Sequence, residues 1–309
     1  AGGGGGAFVG AVGAPGADGD RGGAVLFDAG LAPLERVWGG GPGEQAGAAL
    51  VFVDGALWLG APQATPATWT GGVRAPGGGL WGGARVGERA GSSLAALDVD
   101  GDGQDELVVG APEAGDGRVY LLWGPDPAGG ALADAALVMD GGGAYSQVGR
   151  TLGALGDQDG DGRPDLAVGA PLGALNGAVL VFSATDLLAE NAAEVGIFGA
   201  VGVVTDTWSL LGQAGPAGDV DGDGRADLCA GGPQVVFGPV EGAVSATAAD
   251  LRLLADTGPD GLSRPPGWRC APAGDLDGDG RGDVAFGGPT LEAGGEAWGL
   301  LQLVLSHGE

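Results

Sequence analysis

The sequence predicts an all-β protein, a β-propeller of four-stranded blades, and three observations carry that prediction. A Gly-Ala-Pro or Gly-Gly-Pro turn recurs six times, at Gly13, Gly60, Gly110, Gly169, Gly231 and Gly287, with successive copies 47 to 62 residues apart. Periods of that size mark blades, solenoid turns or arrays. No stretch of ten or more residues has good helical periodicity, and the best candidate, Asp186–Glu194, is short. Four of the units also share one nine-residue acidic loop, each followed by a short apolar run that ends in the turn. Units of this length hold four strands and little else, and a ring of such sheets hides most strand edges. A parallel β-helix would need shorter repeats with its calcium-binding nonapeptides back to back.

The loops are Asp98–Glu106 (DVDGDGQDE), Asp157–Asp165 (DQDGDGRPD), Asp219–Asp227 (DVDGDGRAD) and Asp275–Asp283 (DLDGDGRGD). Acids stand at positions 1, 3, 5 and 9: Asp98, Asp100, Asp102 and Glu106; Asp157, Asp159, Asp161 and Asp165; Asp219, Asp221, Asp223 and Asp227; Asp275, Asp277, Asp279 and Asp283. Four carboxylates converging on one point repel unless a cation sits between them. Hard oxygen donors in that number suit Ca²⁺, which takes six to eight oxygens in flexible geometry. The main-chain carbonyl at position 7 (Gln104, Arg163, Arg225, Arg281) supplies a further ligand, and glycine at position 6 permits the positive φ of so tight a turn. One Asp-Gly pair could simply be a hairpin turn. Four loops with acids at the same four places predict four Ca²⁺ sites. An EF-hand is excluded because position 12, where it needs a bidentate Glu, is Val109, Val168, Ala230 or Phe286.

Length and composition bound the rest. The 309 residues can bury a large core, and 44% hydrophobic content argues for a folded chain despite 72 glycines and 19 prolines. The net charge of −27 argues against direct binding to nucleic acid or to an anionic membrane surface. Sixteen of the 40 acids are the loop positions, so much of the excess belongs to the expected metal sites. All 13 basic residues are Arg and Asn occurs only at 176 and 191, which reads as the coding bias of a GC-rich bacterium. The opening AGGGGGAF has no signal-peptide pattern, so any such leader is expected to have been removed. Leu166–Thr185 lacks charge for 20 residues, but Pro171 and Asn176 break it into strand, turn and strand, against a membrane span.

In chain order, the first unit has Gly2–Gly6 where a loop would be, then strands Phe8–Gly13, Ala24–Asp28 and Glu35–Trp38; Asp18–Asp20 reads as a polar loop. The second joins Ala48–Val53 to Ala56–Gly60 through Asp54-Gly55, a two-residue turn with no room for a metal, and continues with Trp69–Arg74 and Leu80–Arg85. The third runs Ser92–Leu97, loop, Leu107–Gly110, Arg118–Trp123, Ala136–Met139; the fourth runs Thr151–Leu155, loop, Leu166–Gly169, Ala178–Ser183, Glu194–Phe198. The fifth has Gln234–Phe237 directly after Pro233 and an outer strand at Asp250–Ala255. The sixth has Arg269–Ala273, loop, Val284–Gly287 and Trp298–Leu305, without an obvious fourth strand.

The succession of loop, strand, Gly-Ala-Pro and a Gly-x-Val strand (Gly117-Arg-Val-Tyr120, Gly177-Ala-Val-Leu180) resembles the FG-GAP repeat of integrin α-subunit propellers and their bacterial relatives. The resemblance covers nearly the whole chain and implies a single propeller domain over residues 1–309 with incomplete first and last repeats. It departs from the pattern in the Phe-Gly half, which is Ala90-Gly91, Val148-Gly149, Leu211-Gly212 and Pro266-Gly267, and in Glu106, which replaces Asp. Integrin propellers have seven blades; six are found here, leaving a six-bladed ring or a seven-bladed one with incomplete ends.

The only histidine, His307, is near the C-terminus, which argues against a Ser-His-Asp triad or a His-rich catalytic metal site. Arg281-Gly-Asp283 matches an adhesion tripeptide but falls inside a metal loop. Trp58, Trp123 and Trp298 lie in strands and are expected between blades, whereas Tyr145, Trp208 and Trp268 lie near inter-unit connections and are the candidate ligand-binding aromatics. Cys229 and Cys270 fall in adjacent units and form either one disulfide or a pair of buried thiols. Two function classes follow. The resemblance implies a non-catalytic, calcium-binding extracellular or cell-surface propeller that binds a protein or glycan in adhesion. The alternative is the propeller portion of a secreted hydrolase or lyase whose catalytic part is elsewhere. Fixed metal loops on one face and variable connections on the other place the expected partner opposite the loops.

Overall fold

Short β-branched and apolar runs closed by glycine-rich turns give each unit a meander of antiparallel strands. The structure is a computed structural model; it describes residues 8–306 except 29, 66, 142–144, 174–176, 190–194, 197–201, 206–213, 231–233, 241, 246–248, 253–255, 258–262, 265–268 and 294–295. Blade one is β1 (Phe8–Gly13), β2 (Gly23–Asp28) and β3 (Pro33–Trp38). Blade two is β4 (Ala49–Val53), β5 (Ala56–Gly60), β6 (Gly72–Arg74) and β7 (Leu80–Gly82). Blade three is β8 (Ser93–Leu97), β9 (Glu106–Ala111), β10 (Arg118–Leu122) and β12 (Leu137–Asp140). Blade four is β14 (Thr151–Ala154), β15 (Leu166–Ala170), β17 (Ala178–Phe182) and β19 (Gly202–Thr205). Blade five is β20 (Ala214–Gly218), β21 (Asp227–Ala230), β22 (Gln234–Val236) and β24 (Leu251–Arg252). Blade six has β27 (Arg269–Gly274), β28 (Asp283–Ala293) and β29 (Glu296–Val304). Two small pairs lie outside the blades: β13 (Tyr145–Ser146) with β16 (Leu172–Gly173), and β25 (Asp256–Thr257) with β26 (Ser263–Arg264). The first strands of the blades, β1, β4, β8, β14, β20 and β27, neighbour one another in that order, the arrangement of a β-propeller.

The core is a series of interfaces between blades. In β9, Leu107 and Val109 pack toward blade two with Trp58 and Val73, whereas Val108 between them packs toward blade four with Leu166 and Val168. In β10, Tyr120 and Leu122 face one way and Val119 and Leu121 the other. This is the period-two alternation of a strand whose two faces are both buried.

The recurring glycines have a shared steric origin. The Gly47 N–H donates to the Gly60 carbonyl at 2.9 Å, Gly91 to Gly110 at 2.9 Å, and Gly149 to Gly169 at 3.1 Å. The carbonyls of Gly47, Gly91 and Gly149 in turn lie where a Cβ on Gly13, Gly60 or Gly110 would come within 2.1 Å. In units two, three and four one glycine thus bonds its own turn and abuts the turn of the preceding unit, a contact that any side chain would block.

Three blades gain a fifth, parallel strand that the sequence pattern does not reveal. β11 (Gly129–Ala131), from the third unit, adds to β7; β18 (Val195–Gly196), from the fourth, adds to β12; β23 (Gly242–Ser245), from the fifth, adds to β19. Each strap covers the outer edge of the preceding blade, where unpaired backbone would otherwise be exposed. The expectation that 194–198 closes blade four is therefore corrected. Val195–Gly196 pairs with blade three, and the run Gly202–Thr205 pairs antiparallel to β17 as the fourth strand. Trp58 is buried as expected, but Trp123 is 40% exposed just past the end of β10 and does not pack between blades. The Gly231–Pro233 turn and His307 lie outside the described residues.

Candidate metal centres

Each acidic loop joins the first two strands of its blade, so all four sit at the same end of their sheets. Glycines at positions 4 and 6 adopt φ between +77° and +91° in every loop, so the positive φ expected at position 6 holds for both. This backbone turns its N–H groups inward. The position-1 carboxylate accepts from both glycine N–H groups: Asp98 from Gly101 (2.7 Å) and Gly103 (2.8 Å), Asp157 from Gly160 (2.6 Å) and Gly162 (2.8 Å). Asp219 and Asp275 repeat this with Gly222 and Gly224 and with Gly278 and Gly280. Position 3 accepts from the N–H of position 5, and position 5 from that of position 7, as in Asp161 to Asp159 at 3.0 Å and Arg163 to Asp161 at 2.8 Å. The backbone of each loop thus orients its own carboxylates.

Three carboxylates in each loop bring oxygens within 4.8 Å of one another. They are Asp98, Asp100 and Glu106; Asp157, Asp159 and Asp165; Asp219, Asp221 and Asp227; and Asp275, Asp277 and Asp279. Two oxygens on one calcium at about 2.4 Å cannot lie further apart than about 4.8 Å, so the donor set fits a shared divalent cation. The tight groups do not include Asp102, Asp161 and Asp223 at position 5 of the first three loops, nor Asp283 in the last. The Asp161 carboxylate also accepts from the Thr185 hydroxyl.

Position 9 has a second task that its spacing does not announce. Asp165, fully buried, accepts from the Gln158 N–H at 2.9 Å and from Ala184 at 3.1 Å, just past β17. Asp227 does the same with Val220 (2.7 Å) and Gly238 (2.9 Å), and Asp283 with Leu276 (2.7 Å) and Ser306 (2.9 Å). This acid ties the loop to the end of the third strand, and a carboxylate's four lone-pair sites leave room for a metal as well. Glu106 keeps the bond to Val99 at 2.8 Å. Burial, with added repulsion from the other loop acids, pushes Glu106 up to about 7 and Asp165 and Asp227 up to about 6. Such acids are costly to ionise without a counter-charge.

The three position-7 arginines link neighbouring loops, whereas the Gln104 amide donates to Asp102 within its own loop. Arg225 donates to the Gln158 carbonyl of the preceding loop at 2.5 Å, while the Gln158 amide donates to the Ala226 carbonyl at 2.7 Å. Arg163 lies over Gly101 and Arg281 over Gly222, each about one van der Waals contact from where a Cβ would be. Cys229 in β21 and Cys270 in β27 form a disulfide with Cα atoms 5.9 Å apart, joining blades five and six. Tyr145 lies in β13, and Trp208 and Trp268 fall outside the described residues.

Sequence comparison agrees with this architecture. The FG-GAP repeat family matches residues 90–122 and 148–182, each match running from the junction dipeptide, Ala90-Gly91 or Val148-Gly149, through the acidic loop to the third strand. The chain is 39% identical to integrin alpha-PS2 of Drosophila melanogaster over 110 residues, 32% of this chain and 8% of that protein. It is 35% identical to integrin alpha-7 of Rattus norvegicus over 156 residues, 48% and 13% of the two chains. It is 41% identical to human integrin alpha-IIb over 104 residues, 30% and 10% of the two chains. The chain thus spans a small fraction of the length of these relatives. It carries FG-GAP repeats on an integrin α-like propeller.

Proposed function

We propose that the chain is a non-catalytic, calcium-stabilised propeller domain over residues 1–309, extracellular or on a cell surface, that binds a protein or glycan partner in adhesion. The observation behind this reading is the fourfold recurrence of three converging carboxylates on one backbone frame, within repeats similar to those of integrin α subunits. In this reading each loop holds one Ca²⁺. Its ligands are the acids at positions 1, 3, 5 and 9 and the carbonyl of position 7: Gln104, Arg163, Arg225 or Arg281. The ion supplies counter-charge and fixes the loop; the glycine N–H groups orient the carboxylates and the position-9 acid anchors them to the third strand. Among the described residues no helix is long and apolar enough to cross a membrane. The partner meets the face opposite the loops, with Tyr145, Trp208 and Trp268 as aromatic anchors and with no direct role for nucleic acid or anionic membrane.

The test is metal analysis of the purified protein together with a protein and glycan array screened with Ca²⁺ and with chelator. Four equivalents of Ca²⁺, a chelator-sensitive melt and calcium-dependent array binding are expected. A metal-free protein whose melting ignores chelator overturns the calcium assignment, and turnover of an array substrate overturns the non-catalytic one.

A further inference from the structure

At the end of the inner strands away from the metal loops, the start of β4, β8, β14, β20 and β27 surrounds an open cavity of about 510 Å³. Among the described residues its lining contains Arg89, Arg150 and Arg269 and no acid, in a chain with 40 acids and only 13 arginines. The charge inside the mouth is opposite to that of the molecule. Arg89 is partly engaged, 3.4 Å from Glu113 and stacked over Trp69. Among the described residues neither Arg150 nor Arg269 has a carboxylate partner, and both are exposed. The hydroxyls of Ser92 and Ser93 donate to the carbonyls of Arg89 and Gly149 at 2.7 Å, so they buttress the rim and leave ligand recognition to the guanidinium groups.

We propose that this funnel binds the carboxylates of a short acidic peptide segment. A guanidinium fork matches a carboxylate in two parallel charge-assisted bonds, and a cleft lined by one sign of charge focuses its field on an incoming group. The cavity has the size of a ligand pocket, not of a single-ion site. A net charge of −27 repels long polyanions, which disfavours a nucleic acid or a heavily sulfated chain. Among the described residues the lining offers no aromatic ring on which a sugar could stack. The inference rests on the adhesion reading and supplies its ligand chemistry.

The test is titration calorimetry on the calcium-loaded protein at low and high ionic strength. The probes are a capped Asp/Glu tetrapeptide, its Asn/Gln counterpart, a galacturonate trimer and inorganic phosphate. The acidic peptide is expected to bind saturably, the amide peptide not to bind, and salt to weaken the interaction. Arg150→Gln and Arg269→Gln should each weaken binding about tenfold, while Arg36→Gln, on exposed β3 away from the funnel, should leave it unchanged. If one variant misfolds, the other carries the comparison. Absent peptide binding, affinity indifferent to both funnel variants, or galacturonate or phosphate bound as tightly as the peptide overturns the proposal. If Arg150→Gln/Arg269→Gln still binds a partner found on the array, the funnel assignment falls while the adhesion reading stands.

Discussion

Gly110 and Gly149 meet so closely that a Cβ on Gly110 would lie 2.1 Å from the Gly149 carbonyl oxygen and 2.2 Å from the Ser93 hydroxyl. Gly110 lies one residue from the end of the second strand of blade three, and Gly149 opens blade four, so the contact fixes the distance between blades. Gly110→Ala must push a backbone away, and overpacking of this kind costs about 3 kcal/mol. Gly287 holds the same motif position in blade six, yet among the described residues a Cβ there would meet nothing within 4 Å. Gly287→Ala is therefore expected to change stability by less than about 1 kcal/mol. Denaturant melts of the two variants check the contrast; equal losses would remove the blade-junction explanation of the glycine.

Glu88, wholly buried, accepts a hydrogen bond from the Tyr120 hydroxyl at 2.8 Å and another from the Ala84 N–H. Glu44, one unit earlier, pairs with Arg74 at 2.5 Å and accepts from Gly40 at 2.8 Å. Both glutamates lie in the connection entering a blade and anchor it to the third strand of that same blade. Burial, reinforced by Glu88, holds the Tyr120 phenol protonated well above its ordinary range. Tyr120→Phe preserves the packing and removes only the donor, so a loss of about 1–3 kcal/mol is expected from the under-satisfied carboxylate. A neutral substitution in thermal or denaturant melts would show that the bond is dispensable.

Much of this was legible in the sequence because the repeat fixes local geometry six times over. The nine-residue loops, their glycines and the strands beside them are set by neighbouring residues, and β8, β9, β10, β14, β15 and β17 lie within a residue or two of their expected bounds. Long-range partnering was not legible. Nothing about Val195-Gly196 marks it for the edge of blade three, because a two-residue parallel strap depends on what lies across the gap. The anchoring role of Asp165 through Ala184, 19 residues on, was hidden for the same reason. The repeated Glu44-Gln-Ala-Gly47 and Glu88-Arg-Ala-Gly91 was an available signal for the junction acids. The pairing of Cys229 with Cys270 required the two strands to be placed side by side.

That disulfide closes a loop with a sequence separation of 41 residues, from the second strand of blade five to the first of blade six. Chain-entropy reasoning gives such a crosslink about 4 kcal/mol, an upper figure where the unfolded chain keeps some structure. The Cys229→Ser/Cys270→Ser protein should melt lower than the parent, and the parent with reductant should match it. Hydrogen exchange should rise first in β27, β28 and β29, whose tie to blade five is lost. Unchanged melting under full reduction would mean that packing alone holds the last blade.

Asp161 and Asp54 separate metal binding from turn formation. Asp54 sits at φ +49° in the two-residue turn of blade two, and its carboxylate accepts from the Asp105 N–H at 3.1 Å. Asp54→Ala should thus cost some stability, through the strained turn and one exposed bond, equally with and without calcium. Asp161 belongs to a loop whose remaining acids, Asp157, Asp159 and Asp165, have oxygens within 4.8 Å of one another. Removing it deletes a proposed ligand and should cut the calcium-dependent part of the stability. A site that binds only the native state adds about 2.7 kcal/mol when the ion is at a hundred times its dissociation constant. The measurement is the difference in unfolding free energy between excess Ca²⁺ and chelator for parent, Asp161→Ala and Asp54→Ala. The parent and Asp54→Ala should show the same difference, and Asp161→Ala a difference smaller by up to about one site's contribution. An identical calcium increment in all three proteins would place Asp161 outside the coordination sphere.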